Sequence, residues 1–209
     1  MKLNVIVALT LFFCVSEVIG QISAITHNGQ EVVLHQDGTW TYVEEDNTEL
    51  IELNTNPKKF VKGAGGYLLK SSRTNTGIYM DKKWQQIKGQ GNAEIEYTFR
   101  LKDQDAYGML ITERIQVPME RMADLAFFNA SNVSEDAKIV EKEYRFVNGK
   151  KVLYLRMNAR VQGIDFAYLG YFYSDENGTT QLLMYTGKSL LDEYEPRIEE
   201  FMNGFVVIP

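Results

Sequence analysis

The residues best placed to do chemistry lie on and beside one predicted strand, 152–161. Polar and apolar residues alternate there, and because successive side chains of a strand point to opposite faces, Tyr154, Arg156 and Arg160 share one face. An arginine guanidinium holds a carboxylate or a phosphate through two parallel hydrogen bonds, and a tyrosine ring can stack on it. With Asp165 on the neighbouring strand, these residues form the predicted ligand-binding site.

The two arginines have a second interpretation. If the two arginines bind a ligand, their Cα atoms lie about 13 Å apart along the strand. That separation suits an extended ligand or an acidic partner surface rather than one small ion. As structural groups, they would form ion pairs with Glu141, Glu143 or Glu113 across neighbouring strands, as antiparallel sheets commonly do. The sequence leaves both interpretations open.

The sequence contains no motif typical of a metal site or of a catalytic triad. The chain has two histidines, His27 and His35, both beside turns with Asp37 nearby. A zinc site needs three or four converging ligands, so we interpret both as solvated turn residues and expect no metal and no cofactor. A serine–histidine triad would need the same two histidines, and the G-x-S-x-G motif does not occur. Acidic pairs such as Glu94 with Glu96 lie on polar strand faces, where solvation explains them.

Composition describes a globular protein, with 44% hydrophobic and 24% charged residues in 209. The length suits one medium domain, or one domain with a small appendage. The net charge of −6 argues against non-specific binding of nucleic acid, which needs a basic surface, and against docking on anionic lipid.

Residues 1–20 are predicted to be a secretory signal peptide, cleaved after Gly20. A positive charge at Lys2 precedes an apolar run over 5–15, which is too short for a membrane span of about 20 residues. Cys14, the single cysteine, lies inside this segment. The mature chain would therefore begin at Gln21 without disulfides or thiol chemistry and without a transmembrane segment, and it would be secreted or periplasmic.

A small β-meander is predicted over 21–43. Asn28-Gly29 and Asp37-Gly38 are hairpin signals of the type I′ turn, which needs positive φ at both central residues. The stretch from Gly29 to Tyr42 resembles a short module of bacterial exported proteins with the pattern G-x-x-V-x-L-x-x-D-G-T-W-x-Y. An acidic segment, 44–56, is interpreted as a linker.

The main domain is predicted over 57–209. A helix opens at Pro118, and Asn148-Gly149 joins two long strands in a hairpin. Ser189 is expected to cap a final helix, whose regular part runs from about Glu195 because Pro196 must fall in a first turn. Most of the predicted elements in this domain are strands joined by hairpins. This order of elements predicts an α+β domain in which helices pack on an antiparallel sheet.

The segment 60–207 resembles the PsbP-like/Mog fold family. The resemblance rests on the order of elements, the Asp81-x-x-Trp84 corner, the hairpin at Val147-Asn-Gly149 and the ending Tyr194-x-x-x-Ile198-x-x-Phe201-Met-Asn-Gly-Phe205. It implies an α-β-α sandwich and a docking or assembly role, with no shared catalytic site and no functional residues to transfer.

These observations predict an exported, non-enzymatic binding or assembly protein of the bacterial envelope. A sheet face or groove would bind an envelope protein or a small anionic ligand. The alternative is a hydrolase or isomerase that uses carboxylates and tyrosines in a cleft. A cleft with two carboxyls of divergent pKa would favour the enzyme, and an exposed apolar patch would favour the binding protein.

Overall fold

The computed structural model describes residues 22–25, 31–35, 37–42, 54–62, 66–87, 94–134 and 136–209. The predicted signal peptide, the Asn28-Gly29 turn and most of the predicted linker lie outside the described residues. None of the described helices has the length and apolar character needed to cross a membrane.

The described elements are given in chain order. The strands are β1 Ile22–Ile25, β2 Glu31–Leu34, β3 Trp40–Tyr42, β4 Asn54–Phe60, β5 Tyr67–Lys70, β6 Thr76–Met80, β7 Trp84–Ile87, β8 Ile95–Leu101, β9 Ala106–Glu113, β10 Lys138–Val147, β11 Lys150–Val161, β12 Ile164–Asp175, β13 Gly178–Gly187 and β14 Phe205–Val207. The helices are α1 Met122–Ser131 and α2 Leu191–Met202. A short 3-10 turn precedes each helix, at Met119–Arg121 and Lys188–Leu190.

An eight-stranded main sheet has the order β4-β10-β11-β12-β13-β9-β8-β7. Neighbouring strands are antiparallel except for β4, which runs parallel to β10. The predicted type I′ turn joins β10 to β11, with φ of 48° at Asn148 and 82° at Gly149. Gln162 and Gly163, with φ of 51° and 81°, make a second turn of this kind between β11 and β12.

Helices and a small sheet cover the two faces of the main sheet. On one face Met122 and Ala126 of α1 pack against Leu155 and Met157 of β11. On the other face Ile198 and Phe201 of α2 join a core cluster that includes β6 of the small sheet β14-β6-β5. The α-β-α arrangement confirms the predicted α+β fold class.

Helix α2 begins at Leu191, four residues before the predicted start, and Pro196 lies inside it. Ser189 makes no capping hydrogen bond and instead belongs to the preceding 3-10 turn. A proline removes one backbone hydrogen bond near the helix start, and the burial of Tyr194, Ile198 and Phe201 outweighs that loss.

Strand β4 begins at Asn54, inside the segment predicted as linker. Pro57 is accommodated because β4 is an edge strand, where one missing N–H breaks no second ladder. The division into meander, linker and main domain remains a prediction.

The meander β1-β2-β3 is present as a separate antiparallel sheet. Its second turn differs from the predicted type I′ turn, because only Gly38 has a positive φ, of 83°. The backbone N–H of His35 donates to the carbonyl of Thr39 at 2.8 Å, and Gly38 takes the left-handed conformation in the turn between them.

Candidate functional site

Arg160 and Asp165 form a two-pronged ion pair at one end of the main sheet. They are direct cross-strand partners on β11 and β12. The Arg160 Nε donates to Asp165 Oδ1 at 2.8 Å, and Nη2 donates to Oδ2 at 3.1 Å. The hydrogen bond from Arg160 holds the pKa of Asp165 below its usual value. The structure thus brings two of the predicted site residues together and exposes both.

A cleft of about 440 Å³ opens beside this pair. Its polar wall is formed by Lys138, Asn158, Arg160, Asp165 and Lys188, together with Asp136. Asp136 Oδ2 lies 4.0 Å from Arg160 Nη1. Among the described residues, neither lysine forms a direct ion pair, but the charge of Lys188 contributes to the lowered pKa of Asp165. The cleft thus presents two ammonium groups beside an oriented guanidinium.

The two lysines come from parts of the chain distant from the predicted site. Lys138 is the first residue of β10 and lies opposite Asn158 of β11. Lys188 follows β13, in the turn that leads into α2. Sequence analysis missed both because only the pairing of β10, β11, β12 and β13 places them at one end of the sheet.

Arg156 has the structural role that the second interpretation described. Its Nε lies 3.5 Å from Glu141 Oε2 across β10, and its Nη1 lies 3.7 Å from Glu195 Oε1 of α2. Arg156 is not among the residues that line the cleft. The structure therefore separates the two arginines that the strand pattern had placed in one site.

Tyr154 is fully buried and does not line the cleft. The guanidinium carbon of Arg145, rather than that of Arg156, lies 3.4 Å from its ring centroid. Burial raises the pKa of the Tyr154 hydroxyl, which has no hydrogen-bond partner among the described residues. Tyr154 lies on the face of β11 that alternation predicted, but the α2 layer covers that face at this point, and the ring stacks on Arg145 of β10.

Arg145 is the centre of a buried charge cluster that sequence analysis did not single out. The residue is 2% exposed, and its guanidinium bonds Glu143 through Nε and Glu199 of α2 through Nη1, the latter at 2.9 Å. Tyr171, in the same cluster, has its pKa raised to about 12 by burial and donates from its hydroxyl to Asn203 at 2.8 Å. Through these contacts the cluster links β10 and β12 to α2 and to Asn203, which follows it.

In the described part of the chain, no group of three histidine, cysteine, aspartate or glutamate side chains is placed to bind a metal ion. His35 Nε2 lies 3.1 Å from Thr41 Oγ1 in the meander. His27 lies outside the described residues.

No protein-family model and no curated protein matches the sequence. The structure is similar to cyanobacterial PsbP (CyanoP) from Synechocystis sp. PCC 6803, with a TM-score of 0.52 and 13% sequence identity over 69% of this chain and 98% of that one. The fold is PsbP-like. This agrees with the fold that the sequence resemblance implied.

Two other similar structures have lower scores. A protein of unknown function from Pseudomonas aeruginosa matches with a TM-score of 0.46 and 15% identity, over 69% of this chain and 99% of that one. LpqN, involved in cell envelope biogenesis of Mycobacterium tuberculosis, matches with a TM-score of 0.44 and 7% identity, over 68% of this chain and 90% of that one.

Proposed function

We propose that the protein is an exported, non-enzymatic binding protein of the bacterial envelope whose cleft beside Arg160 takes a small oxyanion, a phosphate or a carboxylate group. The observation that carries the proposal is the convergence of Lys138, Arg160 and Lys188 on one cleft. The predicted signal peptide supports the location.

The cleft offers distinct donors to such a ligand. Each lysine supplies ammonium N–H groups, and Asn158 supplies an amide N–H₂. Asp165 occupies Nε and Nη2 of Arg160 and so fixes the direction of the remaining guanidinium N–H groups. A fixed donor loses less conformational entropy on binding than a mobile one. The cleft wall has three cationic side chains and two carboxylates, so its net charge is slightly positive, which suits a small anion.

Isothermal titration calorimetry with inorganic phosphate and with citrate tests the proposal. The wild-type protein should bind at least one of them saturably. Lys188→Gln removes one charged contact and should weaken that binding at least tenfold, because a hydrogen bond to a charged group contributes about 1.5–3 kcal/mol. Lys150→Gln, an exposed lysine at the opposite end of β11, is the matched control and should leave affinity unchanged. Absence of saturable binding, or equal weakening by both variants, contradicts the proposal.

A further inference from the structure

Helix α1 covers only part of its face of the main sheet. Its most extensive contacts with the sheet are to β10 and β11, and the core beneath it extends to Phe172 of β12 and the edge of Leu183 of β13. Further along the sheet, the side chains of β13, β9 and β8 on this face are partly exposed, whereas those of β9 on the opposite face are buried. We call this region the open sheet face and define it by Arg100, Tyr107, Met109, Ile111, Leu183 and Tyr185.

The open sheet face is apolar at its centre. Met109 lies opposite Leu183 of β13, and Ile111 follows it along β9. At one end Tyr107 and Tyr185 stack with their ring centroids 5.5 Å apart. These apolar side chains are partly exposed and are bordered by two polar ones, Gln181 opposite Ile111 and Thr98 opposite Met109. An apolar centre with a polar rim is the usual composition of a protein–protein interface.

Two charges of opposite sign lie at opposite ends of the face. Arg100 is the cross-strand partner of Tyr107, and its guanidinium lies 5.5 Å from that ring centroid. Glu113 ends β9, about 20 Å from Tyr107 along the strand. Burial and the charge of Glu94 raise the pKa of Glu113. Within the described residues, neither Arg100 nor Glu113 has an ion-pair partner.

We propose that the open sheet face is the interface of a twofold-symmetric homodimer. A twofold axis that crosses β9 at the level of Leu110 lays β9 of one protomer antiparallel over β9 of its partner. Arg100 of each protomer then faces Glu113 of the partner subunit, and Met109 faces Ile111 of the partner subunit. A closed dimer needs one self-complementary patch, and this face has an apolar centre with opposite charges placed symmetrically about it.

Sedimentation velocity over a wide concentration range, together with charge reversal, tests the dimer. The purified protein should dimerise, and Arg100→Glu or Glu113→Arg alone should weaken dimerisation at least tenfold, because each variant places like charges together twice. The double variant Arg100→Glu/Glu113→Arg should restore the dimer, which would show that neither substitution is in itself incompatible with the fold. Lys102→Glu, an exposed charge reversal in the turn after β8, is the control and should have no effect.

A photo-cross-link identifies the occupant of the face. With Met109 replaced by p-benzoylphenylalanine, the main cross-link should join two copies of the chain near position 111. A protein that stays monomeric at every concentration overturns the proposal. A dimer whose dissociation constant is unchanged by both single charge reversals also overturns it. A cross-link to the meander at 22–42, or to a different protein, would give the face another occupant and would also overturn it.

Discussion

The guanidinium of Arg145 lies over the ring of Tyr154, with its central carbon 3.4 Å from the ring centroid. Both residues are almost fully buried, and the same guanidinium bonds Glu143 and Glu199. A buried charge is tolerated only when it is paired and hydrogen-bonded, which this arrangement provides. The polar face of β11 thus has a buried half beneath α2, which contains Tyr154, and an accessible half at the cleft, which contains Arg160.

Removal of the buried arginine should therefore destabilise the fold. We expect Arg145→Gln to lower the free energy of unfolding by about 3–5 kcal/mol, because Glu143 would remain buried without its cation. Chemical denaturation measures this change. Arg160→Gln removes an exposed arginine from β11 and is the matched control, for which we expect little change. Equal effects of the two substitutions would show that Arg145 does not hold the cluster together.

The two buried tyrosines should respond differently to loss of their hydroxyls. Tyr171 donates to Asn203 at 2.8 Å, so Tyr171→Phe should cost about 1 kcal/mol of stability. The Tyr154 hydroxyl has no described partner, so Tyr154→Phe should leave stability unchanged or increase it. Thermal unfolding of the two variants under the same conditions makes the comparison. A comparable loss in Tyr154→Phe would reveal a hydrogen-bond partner for that hydroxyl.

Local patterns predicted much of the fold. Alternation located β10, β11 and the face of β11 that carries the arginines, and Asn148-Gly149 correctly predicted the turn between those strands. The pairing of Arg160 with Asp165 is also within reach of the sequence, because a tight turn at Gln162-Gly163 makes them direct partners.

Lys138 shows why the remainder of the cleft could not be predicted. Counting from the Val147–Lys150 pair places Lys138 opposite Ala159, whose side chain points to the α1 side. A register shift between Ile139 and Glu141 moves it opposite Asn158 instead. A one-residue shift of this kind exchanges the two faces of a strand, and no residue type in the sequence marks it. The burial of Tyr154 likewise depends on where α2 crosses the sheet, which alternation does not encode.

Glu96 should contribute to the acid sensitivity of the fold. Burial alone would raise its pKa, but hydrogen bonds from Ser71, Ser72 and Thr112 outweigh burial and hold the pKa below the ordinary value of 4.5. Because the folded state binds this proton more weakly than the unfolded state, the contribution is present above that value and is lost as pH falls through the folded pKa.

Stability measured against pH checks the assignment. Glu96→Gln cannot titrate, so its stability should fall less steeply with acidification than that of the wild-type protein below about pH 4.5. Parallel curves for the two proteins would mean that Glu96 does not contribute to acid unfolding.

Export with loss of the leader follows from the sequence of residues 1–20. Intact-mass measurement on protein purified from its host should give a chain that begins at Gln21, because the charged start, short apolar run and small residue at position 20 match a secretory signal. A cytosolic chain that retains residues 1–20 would exclude the envelope location.

The most direct test of the proposed function is a nuclear magnetic resonance titration of the isotope-labelled protein with inorganic phosphate. Saturable shifts should appear in the backbone signals of Asn158, Arg160 and Lys188 and in the side-chain amide of Asn158, which line the cleft from separate parts of the chain. Signals of the buried cluster around Arg145 should stay in place. Shifts absent from the cleft, or confined to another surface, would contradict the assignment of this cleft as an anion-binding site.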